Sequence, residues 1–162
     1  MHKTIQEIEQ LLMKRACDLS TMSVEKGCGP FGCVITDLDY NILAEGHNMV
    51  TELNDPTAHA EIIAIRNACK VLNHFDLSDC RLFSSCEPCP MCMSAIYWAR
   101  IKNVCYSNTR TDAKNIGFDD EFIYEELKKD VDERSIHLRK VYSDNYLDSF
   151  ILWNNTKDKI FY

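Results

Sequence analysis

The sequence predicts an α/β layered domain in which helices pack on a mixed sheet. Three observations predict it. A strand–turn–strand signal occupies the first third of the chain, helical and strand-like segments alternate after it, and 162 residues is an ordinary length for one domain. At that length roughly two-thirds of the unfolded surface can be buried without disulfide staples. No internal repeat, linker or low-complexity stretch interrupts the pattern.

Between about Thr4 and Lys26, the apolar residues Ile5, Ile8, Leu12, Ala16, Leu19 and Met22 recur at helical spacing, and Gly27 is the stop. Phe31 to Thr36 is apolar and β-branched, Asp37 to Asn41 is turn-like, and Ile42 to Gly46 completes a hairpin. Asn54-Asp-Pro-Thr reads as a helix start, with Pro56 near the first turn and the helix running from Ala58 to Leu72. Arg81 to Ser84 follows as a short strand, Pro88 to Arg100 as a helix and Asn103 to Ser107 as a strand. In the less regular remainder, Glu121 to Lys129 is expected to be helical, Ile136 to Tyr142 a strand and Tyr146 to Asn155 a terminal helix.

Lys and Arg total 18 against 25 Asp and Glu, a net charge of −7. Polyanion binding shows as a basic patch or stripe. The densest basic segment here, Lys128, Lys129, Arg134, Arg139 and Lys140, is interrupted by Asp130, Asp132 and Glu133. Such mixed charge is a solvated face, so no nucleic-acid partner is expected. The N-terminal stretch carries charges throughout with no apolar segment, and no run is long enough to span a bilayer. A cytoplasmic protein with no membrane partner is expected. Nine cysteines, an odd number, fit reduced thiols, some of them on a metal, better than a disulfide framework. Cys17, Cys28, Cys33, Cys69, Cys80 and Cys105 read as small buried or half-buried hydrophobes.

Two segments carry chemistry, His59-Ala60-Glu61 and Pro88-Cys89-Pro90-Met91-Cys92. Cysteines three apart on a helix share a face, and the positive end of a helix lowers the cost of a thiolate. With His59 at the start of the preceding helix, both helix starts can point at one ion. Three nitrogen and sulfur ligands leave the fourth tetrahedral position of zinc to water, the mark of a catalytic site. Glu61 can share that site with His59 only at a helix start. There it is the candidate proton carrier, taking a proton from zinc-activated water and passing it to a ring nitrogen and a leaving amine. The joint pattern H-x-E…P-C-x-x-C is that of zinc deaminases. Two other readings stay open: a closed structural site with Cys86 as fourth ligand, which leaves Glu61 without a task, and a redox pair of Cys89 and Cys92.

His59-Ala-Glu with Cys86-Glu-Pro-Cys-Pro-Met-Cys resembles the cytidine and nucleobase deaminase superfamily. Four longer strings are similar to bacterial zinc-dependent guanine deaminases: Gly29-Pro-Phe-Gly, Asn54-Asp-Pro-Thr-Ala-His-Ala-Glu, Ser94-Ala-Ile-Tyr-Trp-Ala-Arg and Gly117-Phe-Asp-Asp-Glu-Phe-Ile-Tyr. The likeness runs from about Gly29 to Glu126 and resumes weakly in the terminal helix. It implies a cytidine-deaminase-like three-layer α/β/α domain with helices on both faces of the sheet and Zn2+ as cofactor. The implied reaction is hydrolysis of guanine to xanthine and ammonia, by attack at the ring carbon that bears the amine. It also implies a pocket for a purine base. Asn48 would hold the purine edge, Phe31 and Trp98 would wall the ring, and the Ala60 N–H would orient it. Asp120 would accept from the guanine amine or relay protons, and Tyr162 would close the site. Similar enzymes are homodimers, so a homodimer is expected, with the segment from about 130 to 162 packed across it. The same chemistry on guanosine, cytosine or adenosine in tRNA stays open, as does a non-catalytic zinc module.

Overall fold

Thr4 starts helix α1 (Ile5–Glu25) with a capping box: its hydroxyl accepts from the Glu7 N–H at 3.2 Å, and the Glu7 carboxylate accepts from the Thr4 N–H at 2.7 Å. The helix gives out before Gly27, whose φ of 78° lies in the left-handed region that glycine enters without strain. Strands β1 (Gly32–Asp37) and β2 (Ile42–His47) form the expected antiparallel hairpin. Asp37 holds its turn, accepting from the N–H groups of Asp39 and Asn41 at 2.9 and 2.8 Å. The computed structural model describes residues 3–162. They form two compact units, one ending at Asp120 and the other running from Glu121 to Tyr162.

In the first unit, β3 (Cys80–Cys86) pairs antiparallel with β1 and parallel with β4 (Asn103–Asn108). The sheet order is β2-β1-β3-β4, and the sheet is mixed. Successive strand residues point to opposite faces, and the burial follows that period. Val34 and Phe83 pack with Leu12, Ala16 and Leu19 of α1. Their neighbours Cys33, Ile35 and Leu82 pack with Ala60, Ala64 and Ala68 of α3 (Ala60–Leu72) and with Ile96 of α4 (Pro90–Trp98). Helices therefore cover both faces, as the three-layer reading expected.

The layers approach closely because two glycines allow it. A Cβ on Gly32 would lie 2.2 Å from the Ala16 carbonyl oxygen, and one on Gly46 would lie 2.3 Å from that of Ala60 and 2.6 Å from the Ala64 nitrogen. Both obstacles are helix backbone, which cannot swing aside. Gly46→Ala is therefore expected to destabilise the fold by about 1–3 kcal/mol and to displace the start of α3. A thermal melt and a zinc assay check it; unchanged stability and zinc content would contradict the close approach.

Four elements differ from the sequence expectation. Asn54 to Thr57 is a turn and not a helix start. Asn54, with φ 50°, ends a short helix α2 (Val50–Leu53), and the Asp55 carboxylate accepts from the Thr57 N–H at 2.8 Å. Asn and Asp favour such left-handed and side-chain-bridged turns, so α3 begins only at Ala60. Strand β3 runs on to Cys86. An unforeseen helix α5 (Arg110–Asn115) follows β4, capped by reciprocal bonds between Thr109 and Asp112. The second unit holds α6 (Glu121–Lys128), a 3-10 turn at Val131–Glu133 and α7 (Asp148–Asn155). The strand expected at Ile136 to Tyr142 is irregular and exposed. Its apolar residues suit a strand, but a strand exists only with a paired ladder, and no described strand pairs with it. Among the described residues, no helix is long and apolar enough to cross a membrane.

Candidate metal centre and active site

Helices α3 and α4 each begin at an N-cap residue with extended backbone: His59 at φ −70°, ψ 157° and Cys89 at φ −65°, ψ 169°. An N-cap side chain ordinarily folds back onto the amides of its own first turn. Neither of these does; they converge on each other. The Sγ atoms of Cys89 and Cys92 each lie 3.6 Å from His59 Nδ1, and the three ligand atoms all lie within 4.8 Å of one another. A tetrahedral zinc, with Zn–N near 2.05 Å and Zn–S near 2.3 Å, sets N···S separations of about 3.6 Å. The donor set thus fits zinc in distance as well as in chemistry. Pro90, whose φ is already helical, fixes the first turn of α4 between the two cysteines.

The charges suit a cation. The hydrogen bond with Cys92 holds the Cys89 thiol down to about 4, while the same bond and burial push Cys92 well above the usual thiol range. Cysteines hold a metal as thiolates, so binding a cation here would release protons from the pair.

Glu61 stands in the first turn of α3 and is only 5% exposed. Burial raises its carboxyl above the usual range, opposed by bonds from its own N–H and from Ser84. The Ser84 hydroxyl donates to Oε1 at 2.8 Å, and Oε2 lies 3.3 Å from Cys92 Sγ. His59 and Glu61 share one site because His59 is the N-cap, with its side chain outside the helical progression. Cys86, at the end of β3, stays apart. Its thiol donates to the Thr109 carbonyl at 3.6 Å, and burial pushes it up to about 11. Among the described residues, the metal-competent group consists of His59, Cys89 and Cys92 without it.

Of the expected pocket residues, Asn48 and Phe31 meet. The Asn48 N–H donates to the Phe31 carbonyl at 3.0 Å, and a Cβ on Gly29 would lie 3.3 Å from both side chains. The Asn48 Oδ1 accepts from the Val50 N–H at 3.2 Å, so its amide orientation is set. Ala60 is fully buried at the first position of α3. Asp120 is half-buried; burial raises its carboxyl, the Cys89 charge adds to the rise and Arg110 opposes it. That interaction places Asp120 within electrostatic reach of the metal ligands. Trp98 is not brought to the site within this chain. It is the last residue of α4, about 9 Å along the axis from Cys92, and is 66% exposed. Tyr162 is an exposed residue of the second unit. The sequence reading missed Phe118, whose ring meets Phe31 edge-on at 5.0 Å; its one signal was a place inside Gly117-Phe-Asp-Asp.

A family model for the cytidine and deoxycytidylate deaminase zinc-binding region matches residues 6–108. The chain belongs to this deaminase family. Its three metal-competent residues lie inside the matched region, and zinc is the cofactor. The guanine deaminase of Bacillus subtilis (strain 168) is 52% identical over 151 residues, spanning 93% of this chain and 96% of the relative. A crystal structure of guanine deaminase from Bacillus subtilis matches with a TM-score of 0.90 at 51% identity, over 94% of this chain and 98% of that one. A tRNA-specific adenosine deaminase of Haemophilus influenzae is 38% identical over 104 residues, 64% of this chain and 60% of the relative. The structure of NE0047 in complex with 2,6-diaminopurine matches at 29% identity with a TM-score of 0.65, over 69% of this chain and 62% of that one. The fold is thereby that of the cytidine deaminases.

Proposed function

We propose that this chain hydrolyses guanine to xanthine and ammonia, with His59, Cys89 and Cys92 holding zinc and Glu61 moving the protons. The observation that carries the reading is a three-ligand metal centre with a buried carboxyl beside one of its ligand sulfurs. A relative 52% identical over nearly the whole of both chains is a guanine deaminase, and NE0047, of the same fold, binds an aminopurine. When bound, zinc supplies Lewis acidity that lowers the pKa of water from about 15.7 to about 7.

The chain's own residues supply the rest. Glu61 takes one proton from the attacking water and delivers it to the ring nitrogen beside the amine-bearing carbon, then takes the second from the new hydroxyl and passes it to the departing amine. A carbon–oxygen bond replaces the carbon–nitrogen bond, and the products are xanthine and ammonia. Asn48 turns its Nδ2 donors to an acceptor on the purine, because its Oδ1 already serves the Val50 N–H. Phe31, backed by the edge of Phe118, is a wall for the flat ring. The Ala60 N–H orients the base, Asp120 accepts from the guanine amine, and Tyr162 closes the site. Ile136, Val141, Phe150 and Leu152 of the second unit are all exposed apolar residues. A homodimer with the segment from about 130 to 162 packed across it would cover them; a monomer in light scattering would remove that part of the reading.

Ammonia release by zinc-loaded protein tests the substrate, with guanine, guanosine, cytosine, cytidine and adenine offered side by side. Guanine is expected to turn over fastest and to give xanthine. Preference for another compound would keep zinc and Glu61 but discard the roles of Asn48, Asp120 and Tyr162. Silence across the panel, with zinc verified, would favour the non-catalytic zinc module.

A further inference from the structure

We infer that Ser84 is a positioning residue that fixes which oxygen of Glu61 carries the proton. The inference rests on Glu61 as the proton carrier proposed above. Ser84 lies within β3, paired with Cys33 of β1 on one side and Tyr106 of β4 on the other. It is 1% exposed, so its hydroxyl has no access to substrate. That hydroxyl donates to Glu61 Oε1 at 2.8 Å, while Oε2 is the oxygen beside Cys92 Sγ, at 3.3 Å.

The last torsion of a glutamate is broad and roughly two-fold, and free rotation about it would exchange the two oxygens. A donor on a strand hydrogen-bonded along both edges prevents the exchange. The bond also outlasts the proton transfer. With a proton on Oε2, Oε1 is still a carbonyl-type acceptor, so Ser84 holds the carboxyl in both states and keeps Oε2 on the side of the metal ligands. Burial in the central strand does not by itself confer this role. The adjacent Ser85 is equally buried, yet its Oγ accepts from the Gly32 N–H at 3.0 Å and serves the sheet.

The test compares zinc-loaded Ser84→Ala, Ser84→Val and Ser84→Thr with wild type and Glu61→Gln, reading kcat, KM, zinc per chain and melting temperature. Loss of a hydrogen bond to a charged group predicts that Ser84→Ala and Ser84→Val lose about 10- to 100-fold in kcat. Their KM and zinc content stay at wild-type values. Ser84→Thr keeps the donor and is expected to recover most of the lost kcat. The inference is overturned if Ser84→Thr falls as far as Ser84→Val, if Ser84→Ala keeps full kcat, or if Ser84→Ala loses its zinc. An active Glu61→Gln would overturn the proton-carrier reading and this inference together. An inactive Glu61→Gln beside a fully active Ser84→Ala would overturn the inference alone.

Discussion

Glu61→Gln is expected to keep its zinc and to lose about 10²- to 10⁴-fold in kcat. The amide matches the carboxylate in size, and its oxygen still accepts from Ser84, so the first turn of α3 has no reason to move. The three metal-competent residues are untouched. What disappears is a group able to hold a proton between the attacking water and the leaving amine. The variant also replaces a buried ionisable carboxyl, whose pKa burial raises, by a neutral side chain, so folding stability should hold or rise. Steady-state ammonia release and metal analysis on the same sample check both halves. Full turnover with zinc in place would show that Glu61 is not the proton carrier.

Cys92→Ala is expected to lose zinc and activity together. Cys92 is fully buried, three residues after the N-cap Cys89, with its sulfur 3.6 Å from His59 Nδ1. Removing it leaves one nitrogen and one sulfur, too few for a zinc site built on three protein ligands. The methyl group cannot substitute, and no other described Cys, His, Asp or Glu completes such a group. Turnover should fall below even that of Glu61→Gln, which retains the metal. Cys86→Ala is the matching control and should keep stoichiometric zinc, because Cys86 bonds the Thr109 carbonyl instead. Zinc retained by Cys92→Ala but lost from Cys86→Ala would mean that the metal sits elsewhere.

How much of this was legible in the sequence depended on whether the reason was local. The candidate metal ligands were legible because zinc chemistry demands particular residue types at short spacings, and His59, Cys89 and Cys92, with Glu61 beside His59, meet that demand within two short strings. Helix α1 and the hairpin were legible from apolar period and turn chemistry. The helix starts were not. Pro56 suggested an early start for α3, but the left-handed backbone of Asn54 and the side chain of Asp55 build a turn first. The strand at 136–142 failed because residue preference cannot supply a partner ladder. Ser84 was invisible for a related reason: one serine among alternating strand residues gains meaning only when Glu61, 23 positions away, is placed over it. Trp98, expected to wall the ring, stands at the end of α4, a placement that residue type alone does not reveal.

His59 and Cys89 are 30 residues apart and stand at the first turns of different helices. First turns are where helices normally fray, and a nine-residue helix such as α4 has little stability of its own. One ion held between both starts changes that. Opening either first turn then means surrendering a ligand, so backbone amides there should exchange with solvent at a rate tied to metal release and not to local fraying. In the loaded protein, the first turns of α3 and α4 are therefore expected to open more slowly than in the zinc-free protein.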